Sequence, residues 1–224
     1  MPAANQTLKE AFGNIFGGIK PKLTKINEIF LDSDNVMLNW WTYVEENHLN
    51  RWTQAKLNSL SAQDRDRVLD KIYEEDPDLF AKLKPYTNAV PFILHLRELG
   101  VPVFFLTAAG SNHPDQDKVA SDKAECIYQH FNFTSDKVIV VDESSTKQRF
   151  SKPGSLLVDD FERNIREWRL QGGTAIHFDS EKGDSFEELF NSIKALMGIA
   201  PDKGPVWGSV CKVEKEEKGN DEEE

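Results

Sequence analysis

Two cysteines in 224 residues, Cys126 and Cys211, leave no disulfide framework to hold a fold together. Cys211 stands near a polar tail, so a bridge between the two is not expected and a reducing compartment, the cytoplasm, is. No apolar run approaches the roughly 20 residues of a membrane span. The start, MPAANQTLKEAFGNIFGGIK, has no basic stretch followed by a compact apolar one and does not read as a secretory signal. Positive charge is in deficit: 27 Lys and Arg face 38 Asp and Glu, a net charge of -11. A surface of that sign repels phosphate backbones and argues against extended contact with nucleic acid. The five histidines, His48, His95, His113, His130 and His177, show neither His-x-x-x-His nor Cys-His spacing, which argues against zinc. With no GxxxxGK[ST] the chain is not a P-loop NTPase, and with no G-x-S-x-G a serine hydrolase is not expected.

What is present is the balance of a soluble globular chain, 39% hydrophobic and 29% charged, long enough for one α/β domain with a small insertion. Residues 1–26 read as a lead-in, in which Phe12, Ile15, Phe16 and Ile19 have helical spacing. Glu28-Ile29-Phe30-Leu31 is a short apolar run that ends on Asp32, the pattern of a buried parallel strand with polar residues at its C-terminal end. Residues 37–88 lack a β-branched run and are punctuated by Pro77 and Pro85. They are too long for a plain connection and are predicted to form a helical cap inserted after the first strand.

From Ala89 strands and helices alternate. Ala89, Phe92, Ile93, Leu96 and Leu99 form a helical stripe closed by Gly100. Strands are predicted at 103–106, 138–141, 155–158 and 174–178, and further helical stripes at 120–131, 161–168 and 186–197. Alternation of this kind predicts a Rossmann-like parallel sheet with helices on both faces, its core built from 27–36 and 89–200. Residues 201–224 form a C-terminal segment whose last part, EKEEKGNDEEE, has no apolar residue and is predicted to be a disordered, solubilising tail.

Sites in open α/β sheets lie beyond the carboxyl ends of the strands. There the sequence puts Asp32-Ser33-Asp34, Thr107, Asp142 and Asp159-Asp160. One acidic residue at a strand end is commonly a helix cap, and Asp142 is read that way. Two acidic pairs at two strand ends repel strongly unless a cation holds them, and oxygen-only ligation suits Mg2+.

The residues Asp32-Ser33-Asp34-Asn35-Val36, Leu106-Thr107, a lysine ahead of the last acidic strand, and Leu157-Val158-Asp159-Asp160 resemble, in order, the four motifs of the haloacid dehalogenase superfamily phosphatases. Within it, Leu31 to Trp41, Leu83 to Thr107 and Lys147 to Trp168 most resemble the 5'(3')-deoxyribonucleotidases. The resemblance implies a Mg2+-dependent phosphomonoesterase that works through an aspartyl-phosphate. Asp32 would be the nucleophile. Asp34 would be the general acid and base, with its backbone carbonyl on the metal. Thr107 and a lysine would bind the phosphoryl group, and Asp159 and Asp160 would complete the metal site, their division of labour open. Lys147 is preferred over Lys152, which precedes Pro153 on the way into a strand.

The resemblance departs in three places. Asn35 stands where the family has glycine, and asparagine tolerates a positive φ. Ala108 follows Thr107 in place of a second hydroxyl, and Ser145 replaces an arginine ahead of the lysine. These weaken the substrate assignment more than the reaction. Trp40, Phe80 and His113 are the candidate substrate contacts, Trp40 by stacking on a base, although Trp40 and Trp41 equally suit anchoring the insertion. The expected partner is a small phosphomonoester, a nucleoside monophosphate before a sugar phosphate, with no membrane contact and with a homodimer left open. A catalytically silent binding protein of the same fold is the alternative of another class. Retention of four mutually repelling carboxylates argues against it.

Overall fold

A computed structural model describes residues 25–48, 56–57, 59–110 and 115–200. The lead-in stripe at Phe12 to Ile19, His113, Cys211 and the acidic tail lie outside the described residues.

Five short strands, β1 (Glu28–Leu31), β2 (Val103–Ala108), β3 (Val138–Val141), β4 (Ser155–Asp159) and β5 (Thr174–His177), form one sheet. Its order is β3-β2-β1-β4-β5 and every pairing is parallel. Among the described residues the helices with defined bounds are α1 (Trp40–His48), α2 (Ala62–Glu75), α3 (Ala89–Glu98), α4 (Gln116–Phe131), α5 (Glu162–Leu170) and α6 (Phe186–Leu196). The predicted strands are all present. β2 runs on through Thr107 to Ala108, and β5 stops at His177, one residue before the predicted end.

The period-two alternation of strand side chains divides the core. Ile29, Leu31, Val103, Phe105, Leu156 and Val158 face one side, where they pack with Phe92 of α3, Ile127 of α4 and Ile193 of α6. Phe30, Leu106 and Leu157 face the other, against Ile165 and Trp168 of α5. Burial on both faces explains why these strands read as continuous apolar runs. The second face is closed tightly: a Cβ on Gly173 would collide with Trp168 Nε1 and Ser151 Oγ, so only glycine lets that turn approach.

Between β1 and α3 lie α1, α2 and a 3-10 turn at Leu79–Lys82. The chain enters and leaves this stretch side by side. Leu38 bridges Pro85 in antiparallel sense, and Asn39 and Lys84 exchange hydrogen bonds, Asn39 N to Lys84 O at 3.0 Å and Lys84 N to Asn39 Oδ1 at 2.7 Å. Val44, Ile72, Leu79, Phe80 and Leu83 are buried in the same cluster as the inner strands. Among the described residues no helix is long and apolar enough to cross a membrane.

The consequence for function is positional. β1 is central, with β2 on one side and β4 on the other. Strand order reverses there, so the residues that follow β1, β2 and β4 open onto one crevice at the carboxyl edge.

Candidate active site

Asp32 is the first residue past β1, and its N–H donates to Val158 O of β4 at 2.9 Å, which fixes it between the two strands. Asp32 is 7% exposed. Oδ1 accepts from Ser33 N and pairs with Lys147 Nζ, each at 2.8 Å. Burial pushes the Asp32 carboxyl up to about 6, Lys147 works against that, and the charges of Asp159 and Asp34 add to it.

The chain then turns sharply. Asn35 takes φ 60, the left-handed conformation that asparagine tolerates, so the turn survives without glycine. The side chain adds what glycine would lack. Asn35 Nδ2 donates to Asp160 Oδ2 at 3.3 Å, and Asn35 Oδ1 accepts from Trp41 N at 3.0 Å. One residue thus ties the acidic turn to the second acidic pair and to α1. A 3-10 turn after β5 clasps it from outside, with Ser180 N on Asn35 O at 3.1 Å and Ser180 Oγ on Val36 O at 2.8 Å.

Asp159 closes β4 and is fully buried. Its carboxylate accepts from Lys147 Nζ at 2.8 Å, Phe161 N at 2.9 Å, and Asn164 Nδ2 at 3.0 and 3.1 Å. Asp160 has fewer donors. Burial first, then the charges of Asp32 and Asp159, hold its carboxyl well above the usual range, while Asn35 lowers it. Burial alone would lower Lys147, but Asp159 and Asp32 beside it raise it well above an ordinary lysine. Removing such a lysine from between two buried carboxylates costs about 3–5 kcal/mol. Lys152, the alternative, pairs with Glu28 at 2.8 Å with its side chain 65% exposed, at the opposite end of β4.

One ligand oxygen from each of Asp32, Asp159 and Asp160 lies within 4.8 Å of the others. Three hard carboxylate donors, two of them with pKa raised first by burial and then by their neighbours' charge, fit a Mg2+-like cation. Asp34 contributes no carboxylate to this group: its Oδ2 pairs with Lys123 Nζ at 2.5 Å and its Oδ1 accepts from Ser33 Oγ at 2.9 Å. Ser33 Oγ is also 2.7 Å from Thr107 Oγ1, which brings the β1 and β2 ends into contact. With all four carboxylates ionised, the ammonium groups of Lys123 and Lys147 leave an excess of two negative charges, which one divalent cation would offset.

Trp40 is 7% exposed and meets Trp41 edge-on, ring centroids 4.7 Å apart. Phe80 is buried, with Tyr73 5.7 Å away centroid to centroid and Lys123 Nζ 4.5 Å from its own ring. Lys123 and Asn164 also belong to this cluster of side chains, although neither lies in the four motif segments. The signal for Lys123 was available, since a lysine four residues after Val119 and four before Ile127 falls on the apolar stripe of α4. Asn164 carried no comparable mark.

No family model and no curated protein matches the sequence. Solved structures do. A protein from Clostridium acetobutylicum described as a predicted phosphatase superposes with a TM-score of 0.52 at 11% identity, over 77% of this chain and 100% of that one. A haloacid dehalogenase-like family hydrolase from Xanthomonas campestris gives 0.50 at 13%, over 78% and 93%. The Bacillus subtilis HAD-hydrolase YfnB, bound to magnesium, gives 0.50 at 12%, over 78% and 100%. At such identities the likeness is one of fold: the chain has the α/β architecture of the haloacid dehalogenase-like hydrolases.

Proposed function

We propose that the protein is a Mg2+-dependent phosphomonoesterase acting through an aspartyl-phosphate, with (deoxy)nucleoside monophosphates as its first substrate class. The observation that carries the reading is the division of the acidic residues. Asp32 is grouped with Asp159 and Asp160 around one possible cation position, while Asp34, two residues on, is kept apart by its own lysine.

That division suits two chemical roles. Asp32 Oδ attacks phosphorus and the bond from phosphorus to the ester oxygen breaks. Asp34, protonated at that moment, gives its proton to the departing oxygen. Water then attacks the aspartyl-phosphate and loses a proton to Asp34; inorganic phosphate leaves and the Asp32 carboxylate is restored. Thr107 Oγ1, at the end of β2 beside Ser33, is suited to hydrogen-bond a phosphoryl oxygen, and Lys147 holds Asp32 in place and offsets its charge. Asp32, Asp159 and Asp160 would hold Mg2+, which when bound would supply charge neutralisation.

The aromatic content of the insertion supports a base over a sugar, since a base fits a flat apolar wall and a sugar needs polar groups. Phe80 lies against Lys123 and Tyr73 against Phe80. Trp40 remains a stacking candidate, although its visible contacts are those of an anchor.

The test is a screen of phosphomonoesters with Mg2+ and with EDTA, run beside Asp32→Asn. Nucleoside monophosphates are expected to outrun sugar phosphates. EDTA and Asp32→Asn are each expected to reduce hydrolysis to near background. Turnover that survives both would remove the assignment, and a preference for sugar phosphates would remove the substrate class alone.

A further inference from the structure

Lys123 belongs to none of the four motif segments, yet its ammonium group lies in the site. Resting on the phosphomonoesterase reading, we propose that Lys123 is a positioning residue that sets the Asp34 carboxylate against the leaving-group oxygen.

The argument starts with the cost of its location. Lys123 lies in the middle of α4, whose neighbouring inward residues Val119, Cys126 and Ile127 are apolar, and it is 1% exposed. A buried ammonium is tolerated only where its charge and all three donors are matched. Here they are. Nζ reaches Asp34 Oδ2 at 2.5 Å, Ala108 O at 2.6 Å and Thr107 Oγ1 at 3.1 Å, and the face of Phe80 lies 4.5 Å away. Three acceptors and a ring leave the group one position.

The acceptors then give the consequence. Two of the three are on β2, at the end of an interior strand paired on both edges, and form a rigid seat. The third is Asp34, on a turn that is otherwise held through Asn35 and Ser33. Lys123 therefore transfers the fixed position of β2 to one carboxylate oxygen on a turn. Ser33 Oγ donates to the other oxygen at 2.9 Å, while itself lying 2.7 Å from Thr107 Oγ1. Asp34 and Thr107, which the reaction assigns to proton transfer and phosphoryl binding, are oriented from one cation. A proton donor misplaced by about 1 Å can lose on the order of 10²-fold in rate. A lysine that merely filled the core would meet acceptors unrelated to the reaction.

Leaving-group dependence separates positioning from bulk. An alkyl phosphate expels a strongly basic alkoxide and needs the Asp34 proton, whereas 4-nitrophenyl phosphate expels a weak base and does not. kcat/KM reports the steps up to leaving-group departure. In the full chain with Mg2+, Lys123→Met is expected to lower kcat/KM by about 10- to 100-fold for a nucleoside monophosphate or another alkyl ester, part of the general-acid contribution, and by about threefold or less for 4-nitrophenyl phosphate. Once Asp34→Asn has removed the proton, adding Lys123→Met is expected to produce no further discrimination between the two esters. Should the methionine variant not fold, Lys123→Gln, which retains a donor, is read by the same ratio and is expected to shift it in the same direction. Equal losses on both esters, or discrimination that persists in the Asp34→Asn background, would overturn the role of Lys123 while wild-type activity upheld the parent reading. A wild-type protein that hydrolyses neither ester would overturn both.

Discussion

Asp34 and Trp40 are nine positions or fewer from the end of β1, and the structure gives them unlike surroundings. Asp34 has one carboxylate oxygen on Lys123 and the other on Ser33, at the rim of the crevice. On the proposed mechanism Asp34→Asn keeps that shape and removes the transferred proton, so kcat is expected to fall by about 10²–10⁴-fold on an alkyl ester, and the melting temperature is expected to fall as well because buried Lys123 loses its charged partner. Steady-state kinetics with a melting curve check it, and an unaffected kcat would remove Asp34 from the reaction. Trp40 is packed among Val44 and the inner core with its ring edge-on to Trp41. If Trp40 stacks on the base, Trp40→Ala is expected to lower kcat/KM for nucleoside monophosphates by about 5- to 150-fold, the scale of roughly 1–3 kcal/mol of stacking, and to spare 4-nitrophenyl phosphate. Anchoring alone predicts a lower melting temperature by the cost of a large core truncation, about 3–5 kcal/mol, and equal losses on both esters. The ratio between the two esters decides.

At the scale of elements, the insertion depends on one buried carboxylate. Asp76, at the C-terminal end of α2, accepts from Tyr43 OH at 2.8 Å, lies 3.2 Å from His48 Nε2 and pairs with Lys82 Nζ at 2.6 Å. α1, α2 and the 3-10 turn thus converge on it. Burial raises its pKa, but the hydrogen bonds from Lys82, Tyr43 and His48 outweigh that and hold it below the ordinary 3.8. The sign follows from linkage. A carboxyl whose pKa is lower in the folded state binds fewer protons there, so its contribution is fully present above the ordinary value and is lost as pH falls through the folded one. Asp76→Asn is therefore expected to lower the melting temperature at pH 7, and the gap to wild type is expected to narrow as both are measured towards pH 3. A gap independent of pH would mean that charge at Asp76 plays no part in holding these elements together.

For the whole molecule the largest unbalanced quantity is charge. Asp32, Asp159 and Asp160 converge at the carboxyl edge with Lys147 as their shared cation. A ligand that binds only the folded state stabilises it by mass action, about 2.7 kcal/mol at a hundredfold excess over Kd. Millimolar Mg2+ is accordingly expected to raise the melting temperature over EDTA by several degrees, and Asp160→Asn to reduce that rise. Equal melting curves with Mg2+ and EDTA would show that the three carboxylates hold no cation.

How much of this was legible in the chain depends on the range of the interactions concerned. Strands buried on both faces must be continuously apolar, so Ile29 to Leu31 and Leu156 to Val158 declared themselves, as did the polar residues at their ends. The tolerance of asparagine for positive φ, a local property of one backbone unit, made the turn at Asn35 readable too. The pairing of residues far apart was not local. Lys123 looks like one more helical lysine until α4 is laid against β2, where its Nζ meets Asp34, 89 positions away in the chain. Asn164 looks like a helix residue until Asp159 is seen between it and Lys147. The continuous apolar runs of the strands, the apolar stripes of the helices and the polar residues at the strand ends thus determined the sheet, its helices and the edge where the acidic residues gather. Which lysine serves which carboxylate was decided only by tertiary packing, because a buried charge is tolerated only beside its partner, and the partner's position is fixed by the fold.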